Sequence, residues 1–336
     1  MNRLQIIQIL PMYHPDGEVL LNSLADVKKF TEFNEEEIIE YLKNHRVDGI
    51  ILRAPAKITP AILDHCKDIK AISGAGVGLD NIAVDYATKK GIPILHAPKI
   101  NTGATAEHAV SLLLAVMKNI SQFNQETKMG NFAFRDGRST LELSGKTIGL
   151  IGFGTIAQKT AKILVHGFEM KALAYVRNIT EERITLAEDI GVELTTSMEK
   201  VFQESDAVSL HIPLTEATSK LVDERLLSMM KPSAVLINTA RGGVINENDL
   251  AAALKEKRIL GAGIDVFTEE PPQEDHPFFN LDNVTLTPHM GGISLEATRE
   301  TSTIIAKNLV RVINGETLPV IANHKALQSR KIQELI

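Results

Sequence analysis

A single cysteine, Cys66, excludes a disulfide within the chain and suits a reducing compartment, the cytosol. No apolar run is long enough to span a bilayer. The stretch from Met1 to Leu10 meets Pro11 too soon, and lacks the flanks, for a secretory signal, so neither membrane insertion nor export is expected. Surplus positive charge is also lacking: 36 Lys and Arg against 42 Asp and Glu leave a formal net charge of -6. Phosphate-backbone binding needs concentrated cations, so a nucleic-acid partner is not expected. Internal repeats and low-complexity tracts are missing. What is present is globular composition, 44% hydrophobic and 23% charged, on 336 residues, enough for two cores.

Short apolar, β-branched runs alternate with helical patterns throughout, which reads as parallel α/β. In the first third the strand candidates include Leu4 to Leu10, Gly49 to Leu52 and Ile92 to Leu95. A second series comprises Thr147 to Ile151, Ala172 to Val176, Ala207 to Ile212, Ala234 to Asn238, Gly261 to Asp265 and Val284 to Thr287, six strands as in a dinucleotide-binding sheet. Between the series, Ala104 to Asn119 has almost no polar face and must be a helix covered on several sides, by its own core or by a second subunit. Gln122 to Leu143 is polar, punctuated by Gly130 and Gly137, and is expected to be an irregular, exposed arm. Ser294 to Asn308 reads as a helix that follows the Gly291-Gly292 hinge and lets the C-terminus return to the first domain.

Gly152-Phe153-Gly154-Thr155-Ile156-Ala157 follows an apolar strand and opens a helix expected to run to about His166, the context required by a G-x-G-x-x-G/A loop. The first glycine permits the tight turn, the second lets backbone approach a pyrophosphate, and Ala157 allows close helix packing. Amides at the helix start then hold phosphates. Gly74-Ala75-Gly76-Val77-Gly78 also follows a strand, but its third glycine comes one position early. It is a poor dinucleotide loop; its amides suit a carboxylate, and a plain strand-to-helix turn is an equal reading. The second strand of an NAD site usually ends in an acid for the ribose hydroxyls. Here Val176 stands there and Arg177 follows, so NADP is favoured over NAD, with a solvated surface arginine as the alternative.

Three motifs end strands of the second series: Asn238-Thr239-Ala240-Arg241-Gly242-Gly243, Asp265-Val266-Phe267-Thr268-Glu269-Glu270-Pro271 and Thr287-Pro288-His289-Met290-Gly291-Gly292. Together they resemble the signature of the D-isomer-specific 2-hydroxyacid dehydrogenases, and in particular the phosphoglycerate dehydrogenase branch. The similarity extends to Arg53-Ala54-Pro55-Ala56-Lys57-Ile58-Thr59, Gly76-Val77-Gly78-Leu79-Asp80-Asn81 and Ala106-Glu107-His108. The resemblance implies a Rossmann doubly wound parallel sheet for the cofactor, residues 101–292. It also implies a flavodoxin-like, discontinuous substrate domain, residues 1–100 with 293–336. The active site is expected in the cleft between them, with hinge closure excluding water.

The chemistry of a 2-keto acid accounts for the residue types. Its carboxylate and carbonyl are coplanar acceptors, which the rigid donor fork of Arg241 can clamp and polarise. Hydride attack creates an alkoxide that needs a proton, and His289 can supply it near neutral pH or remove it in reverse. A carboxylate on the far ring nitrogen fixes the tautomer. The residues alone do not choose between Glu269 and Glu270; the family pattern places the functional acid directly before the proline, which is Glu270. Read singly, Arg241 is also a candidate structural ion-pair residue and His289 a surface histidine.

The same resemblance assigns Thr155 and Ile156 to the cofactor phosphates with Gly152 and Gly154. It assigns His211, Ile212 and Pro213 to cofactor binding, and Thr239, Ala240, Asp265 and Gly291 to the surroundings of the nicotinamide. Arg53 with the amides of Gly76, Val77 and Gly78 would hold the substrate's distal charge and carboxylate. His45, His65, His96 and His324 show no metal-ligand spacing in the sequence and read as ordinary surface residues, and no metal site is expected. A homodimer is expected. The chain stops soon after Leu318-Pro319, so feedback by serine through a C-terminal regulatory domain is not. A glyoxylate or hydroxypyruvate reductase is the alternative enzyme, and a nicotinamide-sensing, corepressor-like regulator the alternative of another class.

Overall fold

The apolar, β-branched segments form two all-parallel sheets in a computed structural model that describes residues 3–76 and 78–333. The chain divides into two compact units: residues up to Asn101 together with those from Ser294 onward, and Thr102–Ile293.

In the first unit the strands are β1 (Leu4–Ile9), β2 (Ala25–Phe30), β3 (Gly49–Leu52), β4 (Ala71–Gly74) and β5 (Ile94–Leu95). Their order is β2-β1-β3-β4-β5, the flavodoxin-like arrangement. β3 and β4 are buried along their whole length, as central strands of a parallel sheet must be when helices cover both faces. β2 reads Ala-Asp-Val-Lys-Lys-Phe and buries only its two end residues; as an edge strand it can carry charge on both faces. The helix Leu295–Ile313, capped by Ser294 Oγ accepting from the Ala297 amide at 3.1 Å, packs on the helix Pro15–Leu24 and on β3 and β4. It runs five residues beyond the expected Asn308, because Leu309, Val312 and Ile313 continue its buried stripe.

In the second unit the strands are β6 (Thr147–Ile151), β7 (Lys171–Tyr175), β8 (Val192–Thr195), β9 (Ala207–Leu210), β10 (Val235–Asn238), β11 (Gly261–Ile264) and β12 (Val284–Leu286), in the order β12-β11-β10-β9-β6-β7-β8. The described residues thus form a seven-stranded sheet where six strands are expected from the sequence. The additional one, β8, pairs only with β7. It holds one buried residue in four, too short a pattern to stand out. The helix Thr102–Met117 buries Ala109, Leu112, Leu113 and Met117 against the helix Thr155–Phe168 and against β10 and β11, so it belongs to this unit's own core. Each such leucine removed from water contributes roughly 1.5–3 kcal/mol. The segment expected to be an irregular arm is partly helical: Ile120–Lys128 is an α-helix and Phe132–Arg135 a 3-10 turn. Gln, Glu and Lys favour helix, and no Gly or Pro interrupts before Gly130. None of the residues of these two helices is buried. No helix among the described residues is long and apolar enough to cross a membrane.

Candidate active site

The seven-stranded sheet changes winding direction where β6 lies beside β9, which puts the loops after these strands side by side at its C-terminal edge. Gly152, the first residue after β6, has φ +98°, and a Cβ there would lie 2.7 Å from the His211 carbonyl oxygen. Only glycine allows both the turn and the approach. Gly154 caps the helix Thr155–Phe168, which starts with no side-chain cap, and a Cβ on Gly154 would meet no atom within 4 Å. Protein packing therefore does not explain the second glycine. A ligand approaching the amides of Thr155 and Ile156 does, since the first amides of a helix have no intrahelical partner.

Around this loop, His211 Nε2 and Thr239 Oγ1 are buried and meet no hydrogen-bond partner among the described residues. Burial pushes the His211 imidazole down to about 4, so it is neutral near pH 7 and is not an acid. The orphaned polar atoms, the open space at Gly154 and the helix start fit a dinucleotide. Ile212 packs partly buried against the sheet core, and the Pro213 carbonyl accepts from Thr218 Oγ1 at 2.7 Å. At the end of β7, Val176 is buried and Arg177 exposed.

The three strand-end motifs converge further along the same edge. Asn238 Nδ2 donates to the Arg241 carbonyl at 2.9 Å, and its Oδ1 accepts from the Ala240 amide at 3.0 Å, so a buried amide side chain shapes the Thr239–Arg241 turn. A Cβ on Gly242 would sit 1.9 Å from the Phe267 carbonyl carbon, so this glycine is what lets the β10 loop touch the β11 loop. Glu270 Oε2 lies 2.7 Å from His289 Nδ1, while its Oε1 accepts from the Phe267 amide at 3.1 Å. Both side chains keep an exposed edge, 37% for Glu270 and 48% for His289.

Burial pushes the Glu270 carboxyl up, but the His289 hydrogen bond, the Phe267 amide and the charges of His289 and Arg241 outweigh it and hold it below the usual carboxylate range. The hydrogen bond to Glu270 raises His289 above the ordinary imidazole value, aided by the charges of Glu270 and Asp265 and opposed by partial burial and Arg241. Arg241 is therefore near enough for its charge to act on both. Glu269 instead accepts from Gln273 Nε2 at 2.9 Å, an exposed contact that separates the two adjacent acids.

The Asp265 carboxylate is held by hydrogen bonds from the protein itself. Its side chain is 1% exposed. Oδ1 accepts from Thr287 Oγ1 at 2.6 Å and from the Met290 amide at 2.7 Å, and Oδ2 accepts from the Gly291 amide at 2.8 Å. Burial would raise its carboxyl, yet these donors and His108 bring it below its ordinary value. His289 itself has φ +55°, a left-handed conformation that costs an L-residue about 1–2 kcal/mol and is held by the bonds to either side of it. Asn238, Thr287 and His108 were not assigned roles from sequence. A titratable ring on the mostly apolar helix Thr102–Met117 was the available signal for His108.

Within the first unit, Arg53 follows β3 and its Nε donates to the Pro11 carbonyl at 2.6 Å, beyond the neighbouring β1. Its guanidinium lies 5.1 Å from the centre of the Tyr13 ring. These two strands flank that sheet's own change of direction. The Gly76 carbonyl accepts from the Ala97 amide at 2.8 Å, and Val77 lies outside the described residues. Among the described residues no group of three or more His, Cys, Asp or Glu could hold a metal ion.

A parallel sheet with a phosphate-type glycine loop at its switch point, and an arginine, a glutamate and a histidine on neighbouring strand ends, defines a nicotinamide-dependent oxidoreductase. Residues 110–291 match the model of the D-isomer specific 2-hydroxyacid dehydrogenase NAD-binding domain. The chain is 36% identical over 322 residues to a D-3-phosphoglycerate dehydrogenase of Methanocaldococcus jannaschii, covering 96% of this chain and 60% of that one. It is 36% identical over 307 residues to a glyoxylate reductase of Pyrococcus furiosus, covering 89% of each. Among solved structures, a glyoxylate reductase from Paecilomyes thermophila superposes with a TM-score of 0.86 at 26% identity, over 97% of this chain and 100% of that one. An acyclic imino acid reductase in complex with NADPH and D-Arg superposes at 0.78 with 32% identity, over 90% and 94%.

The chain belongs to the D-isomer specific 2-hydroxyacid dehydrogenase family, with an NAD(P)-binding domain, and is an oxidoreductase of the class acting on a CH–OH group.

Proposed function

We propose that the chain interconverts a small D-2-hydroxy acid and its 2-keto acid, with Arg241, Glu270 and His289 as its catalytic residues. The observation that carries the reading is the 2.7 Å Glu270–His289 contact under the field of Arg241. When bound, the nicotinamide supplies or accepts the hydride at C2. Arg241 clamps the carboxylate and polarises the carbonyl with its planar fork. His289 keeps Nδ1 on Glu270, so Nε2 gives the proton to the developing alkoxide and takes it back in the reverse direction. Gly152, Gly154, Thr155 and Ile156 hold the pyrophosphate, His211, Ile212 and Pro213 line the cofactor, and Thr239, Ala240 and Gly291 flank the nicotinamide.

For the cofactor we propose NADP over NAD. The exposed Arg177 beside a buried Val176 supports this, because a cation stands where an acid would repel a 2′-phosphate. A structurally similar reductase solved with NADPH fits the same preference. For the substrate, Arg53 at the switch point of its sheet supports an acid with a distal anionic group, 3-phosphoglycerate, and the Gly76–Gly78 motif is our candidate for the carboxylate site. A second reading, glyoxylate or hydroxypyruvate reduction, is supported by similarity to a glyoxylate reductase over 89% of each chain. We further propose a cytosolic homodimer, with the exposed Ile120, Met129 and Phe132 as candidate contacts.

The test follows loss of reduced-nicotinamide absorbance with glyoxylate, hydroxypyruvate and phosphohydroxypyruvate, each with NADH and NADPH. Fastest turnover of phosphohydroxypyruvate with NADPH is expected. Equal rates with glyoxylate would favour the second reading, and cofactor binding without turnover of any acid would favour a nicotinamide-sensing regulator.

A further inference from the structure

Beside the proposed catalytic pair, His108, Thr287 and Asp265 form a second cluster in which Asp265 is buried and the other two are partly buried. His108, on the helix Thr102–Met117, places Nε2 2.9 Å from Thr287 Oγ1 and 3.2 Å from Asp265 Oδ1. The hydroxyl hydrogen of Thr287 is given to Asp265 at 2.6 Å, so Thr287 can only accept from His108, and an ionised carboxylate can only accept. His108 Nε2 therefore carries a hydrogen. Asp265 in turn fastens the segment that bears His289: it receives the amides of Met290 and Gly291 on its carboxylate and the His289 amide, at 2.8 Å, on its own backbone carbonyl. That segment holds His289 at φ +55°, which an L-residue adopts only under constraint.

We infer that His108 is a positioning residue for His289: its Nε2–H braces Thr287 and Asp265, which fix the strand end carrying the imidazole against Glu270. The inference rests on the acid–base role proposed for His289. Removing the donor leaves the half-buried Thr287 hydroxyl and the buried Asp265 carboxylate short of one partner and frees the segment to relax toward negative φ. The His289–Glu270 contact then lengthens. The charged and titratable groups acting on His289 are Glu270, Asp265 and Arg241, and of these the contact with Glu270 is the largest.

The experiment titrates His289 by NMR in the cofactor-free protein, its signal among the ten histidines assigned by its loss in His289→Gln, alongside the pH profile of turnover. In His108→Leu the His289 midpoint is expected to fall toward that of a free imidazole, kcat to drop about tenfold and the cofactor KM to stay within about twofold. His108→Gln, which restores an N–H at similar reach, recovers most of both. Thr287→Val reproduces the leucine shift by a separate route, should His108→Leu fail to fold. An unmoved midpoint in both variants, or a glutamine variant as impaired as the leucine one, overturns the inference. An alkaline limb of turnover that survives in His289→Gln overturns instead the acid role on which the inference rests.

Discussion

Along one edge of the second sheet, two neighbouring groups of strand ends use different materials. The ends of β6, β7 and β9 present mainly backbone, a glycine turn and a helix start, with one exposed arginine and one neutral histidine whose Nε2 is buried. The ends of β10, β11 and β12 present charged side chains bonded to one another and steadied from behind by Asn238 and Asp265. A dinucleotide brings its own charge and needs shape and donors, whereas proton transfer needs a group whose protonation the protein sets. Substitutions in the first group should act on cofactor binding, and those in the second on turnover and its pH dependence.

The largest expected effect falls in the second group. His289→Ala should lower kcat by on the order of a hundredfold or more, the range of a lost general acid, while leaving the cofactor dissociation constant within about twofold. Steady-state rates and fluorescence of bound reduced nicotinamide measure the two separately; a variant that loses both equally would erase the division between the groups. The converse test is Gly152→Ala. The added Cβ meets the His211 carbonyl at 2.7 Å in a left-handed turn. At about 1–2 kcal/mol for the strain alone, cofactor affinity should weaken about tenfold, with turnover at saturating cofactor little changed.

Glu270→Gln separates charge from geometry, since glutamine can still bond the ring. Glu270 raises His289, so the donating imidazolium persists above its ordinary range and keto-acid reduction should fail only at alkaline pH. Without the carboxylate the midpoint should move down toward the ordinary imidazole value of about 6.5, so reduction is lost at lower pH and hydroxy-acid oxidation becomes available earlier. An alkaline limb that stays in place would show that the pair is not coupled in solution. Back in the first group, Arg177→Ala should reduce the preference for NADPH over NADH by about tenfold or less, the range of an exposed charge-assisted contact. Unchanged specificity ratios would assign Arg177 to the solvated surface.

The two groups were unequally legible in the sequence. Arg241, Glu270 and His289 could be read because each sits beside Gly or Pro at the end of an apolar run, where a side chain is free of core packing. The Gly152 loop could be read because a strand precedes it and a helix follows at once. Gly74–Gly78 has a similar spelling, but its third glycine comes one position early, which marks it as a poor dinucleotide loop, and among the described residues the next helix starts only at Val84. β2 escaped because charge lies on both of its faces, and β8 because two buried or half-buried alternations are indistinguishable from loop. Asp265 was legible as a strand-end acid but not as an inward-facing one. Its direction is set by amides of residues 25 and 26 positions away, a long-range fact that no local pattern encodes.

The smallest effect expected concerns His211, which couples the backbone-built group to stability. Burial lowers its imidazole to about 4 from the ordinary 6.5, so the folded state keeps it neutral where the unfolded chain takes up a proton. A base whose folded value is depressed makes stability fall as pH drops below 6.5, levelling near 4, and contributes no slope above 6.5. At pH 6 the loss is about 1 kcal/mol or less, a lowering of Tm by roughly 2–4 °C. Other groups titrate over the same interval, so the comparison is with His211→Asn. The wild-type Tm, taken without cofactor, should fall further than the variant's between pH 7.5 and pH 5. A parallel decline in the two proteins would mean that His211 is solvated or finds a partner for Nε2, and the contrast between a neutral cofactor edge and a charged catalytic edge would lose its best-defined member.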